Sequence, residues 1–92
     1  MTIQLELTAQ LKLAAGTART RLELPAACRL REALQAAAAL HGDDVRRLLV
    51  TSTGLPQPTL LLFHCDQPVP AGADPALVDG DTVTVMMPIS GG

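Results

Sequence analysis

"LVDGDTVTVMMPISGG", residues 77–92, sets the fold and raises the functional question. Asp79-Gly80-Asp81 has the chemistry of a turn, with short carboxylates able to bond nearby backbone around a glycine free to take positive φ. After it, Val83, Val85 and Met87 alternate with Thr82, Thr84 and Met86. That period of two predicts a strand with one buried face. Pro88 ends it, because proline has no N–H for a ladder bond. The chain then runs through Ile89 and Ser90 into Gly91 and Gly92. Two glycines in the last two places is roughly a one-in-200 coincidence at average glycine usage, so this ending calls for a use as well as a conformation.

Upstream, "TLLLFHC", residues 59–65, is an unbroken apolar run that predicts a strand buried on both faces. Pro68 and Pro70 restrict the next segment to a very short edge strand. "TSTGLPQP", residues 51–58, is a loop by composition. Leu30, Ala33, Leu34, Ala37 and His41 recur at three- and four-residue steps, with Arg31, Glu32 and Gln35 turned away, which predicts the main helix. Gly42 suits its C-terminal end, and Asp43 or Asp44 suits the start of a short second turn through Val45, Leu48 and Leu49. At the front of the chain, Ile3, Leu5, Leu7, Ala9, Leu11 and Leu13 alternate with polar residues, and beyond Gly16 the pattern resumes with Ala18, Thr20, Leu22 and Leu24. Residues 1–24 therefore read as a hairpin ended by Pro25. The predicted order is strand, strand, helix, strand, short strand, strand, with Leu5, Leu22, Leu30, Leu34, Leu61 and Val83 in a shared core.

Composition narrows the function classes. Ninety-two residues suffice for one domain with a single small core. Phe63 is the only aromatic residue, which leaves no stacking platform for bases, and a net charge of −2 lacks the basic excess of a nucleic-acid binder. Nucleic acid is not an expected partner. All seven Lys and Arg lie in residues 1–47, whereas residues 48–92 carry only Asp66, Asp74, Asp79 and Asp81, a half that is either a solvated face or a steering surface for a basic partner. Cys28 and Cys65 form no CxxC pair, and the N-terminus carries neither a secretory nor a membrane-spanning pattern. The expected setting is cytoplasmic and reducing, with no membrane partner.

The element order, ending in a strand that leads into Gly-Gly, resembles the ubiquitin-like β-grasp fold, and within it the sulfur-carrier family (MoaD/ThiS). The most specific part is residues 77–92, similar to that family's Leu, acidic-Gly-Asp turn, hydrophobic strand, proline and terminal Gly-Gly. "TAQLKLAAG", residues 8–16, is similar to a family segment in which strand one gives way to a helical turn near Thr8, whereas alternation alone would carry the strand to Leu13. The resemblance therefore implies an α+β domain over residues 1–87, a mixed sheet of four to five strands packed on one main helix, and a flexible tail over 88–92. It is nearest to the small subunit of molybdopterin synthase. Two features depart from that subunit's pattern: "VMMPIS" has one proline where a Pro-Pro pair is common, and "TLLLFHC" lacks an often-seen Asn.

The tail's chemistry follows from its residues. A terminal carboxyl with an ordinary pKa near ~3.5 is ionised at neutral pH and attacks only strong electrophiles such as a phosphoanhydride. Without Cβ atoms, Gly91 and Gly92 can thread a channel too narrow for side chains, and five extended residues reach about 16 Å. The resemblance implies that an E1-like adenylating enzyme joins the Gly92 carboxylate to AMP from ATP, and that a sulfur donor, commonly a persulfide protein, converts it to a thiocarboxylate. A larger synthase subunit would accept the tail, with Ser90, Gly91 and Gly92 threading its active site and Met86, Pro88 and Ile89 as a docking patch or core edge. On this reading the chain is a carrier with no catalytic residue, no bound cofactor and no metal. Asp79 and Asp81 are read as turn residues. His64 and Cys65, as neighbours on a strand, are expected to point to opposite faces, against joint metal ligation. Cys28, near a helix start, has a position that could lower its pKa but no orienting base. Three alternatives stand: a sulfur carrier for thiamine or another pathway; a ubiquitin-like modifier linked through Gly92 to lysines of other proteins, in which Lys12 is the only lysine for chain building; and a plain interaction domain.

Overall fold

The computed structural model describes residues 1–87; Pro88, Ile89, Ser90, Gly91 and Gly92 lie outside the described residues. The elements run β1 (Thr2–Leu7), α1 (Ala9–Ala15), β2 (Arg19–Glu23), α2 (Leu30–His41), α3 (Asp43–Leu49), β3 (Leu61–His64), β4 (Gln67–Pro68) and β5 (Thr82–Met86). They form one mixed five-stranded sheet in the order β2-β1-β5-β3-β4. β1 and β5 are parallel at its centre, with Leu5 opposite Val83, and the other pairs are antiparallel.

The alternation of the first strand holds only to Leu7. Thr8 is extended, α1 follows, and Leu11 is fully buried while Leu13 is 80% exposed. The helical turn suggested by "TAQLKLAAG" is thus present, and the longer strand is not. Apolar residues at 9, 11 and 13 fit a two-residue repeat, but a helix needs only one of them inside. β2 keeps the expected parity, with Thr20 and Leu22 buried between exposed Arg19, Arg21 and Glu23.

α2 lays Leu30, Ala33, Leu34, Ala37 and Ala38 against the sheet, the two leucines filling the core between small alanines. The Glu32 carboxylate accepts from the Arg29 backbone N–H at 3.1 Å, and Asp74 accepts from the Arg31 N–H at 2.9 Å. The helix start is therefore satisfied partly by a distant loop. Gly42, at φ 92° and ψ −172°, ends the helix in a conformation that side-chain-bearing residues avoid. α3 then adds Val45 and Leu49 to the core.

Five of the six expected core residues are buried, and Leu61 is 50% exposed. The prediction that β3 is buried on both faces fails with it, since no residue of β3 is fully enclosed. The helices cover one face of the sheet only, so β3 turns Leu62 inward and leaves Leu61 on the open face. An apolar run of strand length cannot distinguish two covered faces from one covered face and one apolar open face. Among the described residues, no helix is long and apolar enough to cross a membrane.

Candidate functional site at the end of the last strand

β5 turns Val83 and Val85 into the core at 0% exposure and Met86 outward at 39%. Directly opposite Met86 in the antiparallel ladder stands Leu61, and opposite Thr84 stands Phe63, itself paired with Pro68 of β4. This open-face stripe is apolar, whereas the β1–β2 half of the same face carries Glu6 and Arg19, joined by a 3.6 Å ion pair, and Arg21. Beside the stripe, Leu55, Pro58, Leu61, Phe63, Val69 and their neighbours line a cleft of about 460 Å³. The strand end is fixed by the Thr8 hydroxyl, which donates to the Val85 carbonyl at 3.2 Å, and Met87 packs partly against the core. Of the expected docking residues, Met86 is on the open face; Pro88 and Ile89, like the threading residues Ser90, Gly91 and Gly92, lie outside the described residues. Sequence reading missed Leu61 and Phe63 as parts of this surface. The signal was their same-parity position in a run assigned wholly to the core.

The acidic half is mostly structural. Asp79 accepts from the Thr2 N–H at 2.7 Å, Asp74 caps α2, and Asp81 Oδ2 accepts from the Val78 N–H at 3.0 Å; Asp66 and Asp79 are the exposed two of the four. These bonds favour local turn and cap roles over a steering field.

Asp81 has a second partner, His64 Nε2, at 2.7 Å. Burial opposes ionisation of this carboxyl. Hydrogen bonds from His64 and the Val78 N–H, the neighbouring Cys65 thiol and the His64 charge together outweigh it, and hold its pKa below the ordinary carboxylate value. The donor atoms of His64, Cys65 and Asp81 all lie within 4.8 Å of one another. The expectation of opposite faces for His64 and Cys65 is therefore wrong. His64 is the last residue of β3, and Cys65 belongs to the two-residue turn before β4, where Cys65 and Asp66 take φ of 50° and 68°. Positive φ at both central residues is the mark of a type I′ hairpin turn, and it breaks the strand alternation on which the expectation rested.

The remaining candidates pack. Cys28 is buried, and burial, the hydrogen bond to Glu32 at 3.5 Å and the Glu32 charge raise its pKa, the reverse of activation. His41 Nε2 lies 2.7 Å from the Thr20 hydroxyl.

No protein-family model matches the chain, and no curated protein matches its sequence. Solved structures do match. SAMP1 from Haloferax volcanii superposes with a TM-score of 0.84 at 22% identity, over 100% of both chains. A putative molybdopterin converting factor subunit 1 from Pyrococcus furiosus gives 0.74 at 18%, over 97% of this chain and 99% of that one. The BexX/CysO complex of Amycolatopsis orientalis contains a chain that gives 0.71 at 21%, over 98% and 99%. The chain has the ubiquitin-like β-grasp fold of these neighbours. At these identities the likeness is one of fold.

Proposed function

We propose that this protein is a sulfur carrier whose Gly92 carboxylate is adenylated by an E1-like enzyme and then converted to a thiocarboxylate, as the small subunit of a molybdopterin synthase. The observation that carries the reading is the apolar Leu61–Met86 pair, exposed on the open face where β5 leads toward Gly91 and Gly92. An exposed apolar pair on the strand that precedes such a tail in sequence is suited to docking. ATP is consumed by the activating enzyme, a persulfide protein supplies sulfur, and a larger synthase subunit receives it. The carboxylate attacks the α-phosphorus of ATP and pyrophosphate leaves; the terminal sulfur of the persulfide then displaces AMP from the acyl carbon, and a second thiol cleaves the resulting acyl disulfide, which releases the thiocarboxylate and leaves a disulfide on the donor. No group of the carrier needs to act as acid or base, which agrees with the structural duties of Asp79 and Asp81.

A second reading, conjugation of Gly92 to lysines of other proteins, draws support from the match to SAMP1, a small archaeal modifier protein. One experiment separates the two. The protein, with its terminus at Gly92 verified by intact mass, is incubated with an E1-like enzyme from the same source, ATP, a persulfide donor and a thiol reductant. A carrier releases pyrophosphate and gains the mass of one oxygen-to-sulfur exchange on its C-terminal peptide. A modifier instead yields an isopeptide joining Gly92 to another protein. Deleting Gly92 should abolish either product, and turnover indifferent to that deletion would refute both readings.

A further inference from the structure

We propose that His64, Cys65 and Asp81 form a binding site for one zinc ion, a role separate from anything that happens at Gly92. The three supply an imidazole nitrogen, a thiol sulfur and a carboxylate oxygen, all within 4.8 Å of one another. Tetrahedral zinc with bonds of about 2.0–2.3 Å holds its donors roughly 3.3–3.6 Å apart. The present spacings, from the 2.7 Å His64–Asp81 contact to the 4.8 Å limit, bracket that value. A thiolate and an imidazole in the donor set favour zinc over magnesium or calcium, which prefer oxygen. Three protein donors leave a fourth position for water or a donor from outside.

The backbone that carries these donors is fixed independently of them. The Cys65 N–H donates to the Thr82 carbonyl at 2.8 Å, the Gln4 N–H donates to the Asp81 carbonyl at 3.0 Å, and the Asp81 N–H donates to the Val78 carbonyl at 3.1 Å. The hairpin turn is thereby pinned against the start of β5. Turn chemistry does not explain the residue chosen, because type I′ positions favour Asn, Asp or Gly, and a cysteine at φ 50° is disfavoured. Packing does not explain it either, since Cys65 is exposed. His64 and Asp81 are mostly sheltered, with side chains 24% and 13% exposed. Two sheltered ligands beside one accessible thiol form a site open on a single side.

Binding exchanges protons for metal. The Cys65 thiol releases its proton to solvent, and His64 gives up the Nε2 proton that it now donates to the Asp81 carboxylate and carries its remaining ring proton on Nδ1, which frees the Nε2 lone pair. The ion then replaces the hydrogen bond that now links Nε2 to Asp81.

The test is a cobalt titration of the full chain under a non-chelating reductant, followed by displacement with zinc. The expected result is one ion per chain with thiolate-to-cobalt charge-transfer absorption. That band should vanish in Cys65→Ser and persist in Cys28→Ser, the only other thiol variant available. Zinc affinity should fall at least roughly tenfold in Cys65→Ser and in His64→Asn, by analogy with losses from metal-site substitutions. Because Cys65 is exposed, its serine variant should fold, and zinc should raise the melting temperature of the parent and not of that variant. Cobalt spectra without a thiolate band, a band that survives Cys65→Ser, or equal zinc affinity in parent and variant would each overturn the proposal.

Discussion

Leu34 and Leu61 are the same residue in two regions that obey different rules. Leu34 is fully enclosed between α2 and the sheet, in the block that also holds Leu5, Leu30, Val83 and Val85 at 0% exposure. Leu61 stands in the flank from Thr51 to Ala76, where Leu60 is the one buried residue and order comes from turns, prolines and side-chain bonds to backbone. The contrast teaches that covered and uncovered apolar positions are separated in space. The helix-covered block holds the fold, and the flank leaves apolar side chains without a covering layer.

Substitutions can break that contrast, starting where the effect is largest. Leu34→Ala should cost about 2–5 kcal/mol, because it leaves a cavity in a packed site, read as a shift in urea midpoint. Next in size is the link between flank and block. Asp81→Ala leaves the Val78 N–H and His64 without their acceptor and should cost about 1–3 kcal/mol.

The same group has a pH signature. Its folded pKa lies below the unfolded value, so the unfolded chain takes up the proton first on acidification. Its stabilising contribution is complete above the unfolded pKa of about 3.9 and is lost as pH falls through the lower folded value. Asp81→Asn should flatten that part of the acid decline in urea titrations; an unchanged slope would remove the assignment.

The smallest effect on stability belongs to Leu61→Lys, within about 0.5 kcal/mol as for other exposed positions. That same variant should slow Gly92 adenylation at limiting activating enzyme. A large loss of stability would place Leu61 in the core after all, and unchanged adenylation would detach the patch from docking.

The architecture was legible because its signals are local. The Asp79-Gly80-Asp81 turn, the alternation of β5 and the helical spacing of Leu30, Leu34 and Ala37 each specify one element without knowledge of the others. α1 was readable only through likeness to a known segment, since residues 9–13 fit both periods. The surface patch was hidden because apolar character reports a preference for burial and not whether a neighbour provides it, as Leu61 shows. The His64–Cys65–Asp81 cluster was hidden for a geometric reason: adjacency in sequence implies opposite faces only within a strand, and a turn with two positive φ values falls between His64 and Gln67. The fifteen residues between Cys65 and Asp81 carry no spacing motif, so the meeting of the two depends on β3 pairing with β5.

The parallel pairing of β1 with β5 also bears on the order of synthesis. Gln4 meets Thr82 at the sheet centre, so the strand made first waits for the strand made last. Without β5 the sheet divides into two hairpins, and an isolated hairpin is marginal in water. A chain stopped at Gly80 should show no cooperative urea transition, whereas one stopped at Met87 should retain it. The Leu61–Met86 pair needs both β3 and β5 to exist. A partner that recognises that pair therefore engages only chains whose translation has passed the last strand, and incomplete products never present the surface.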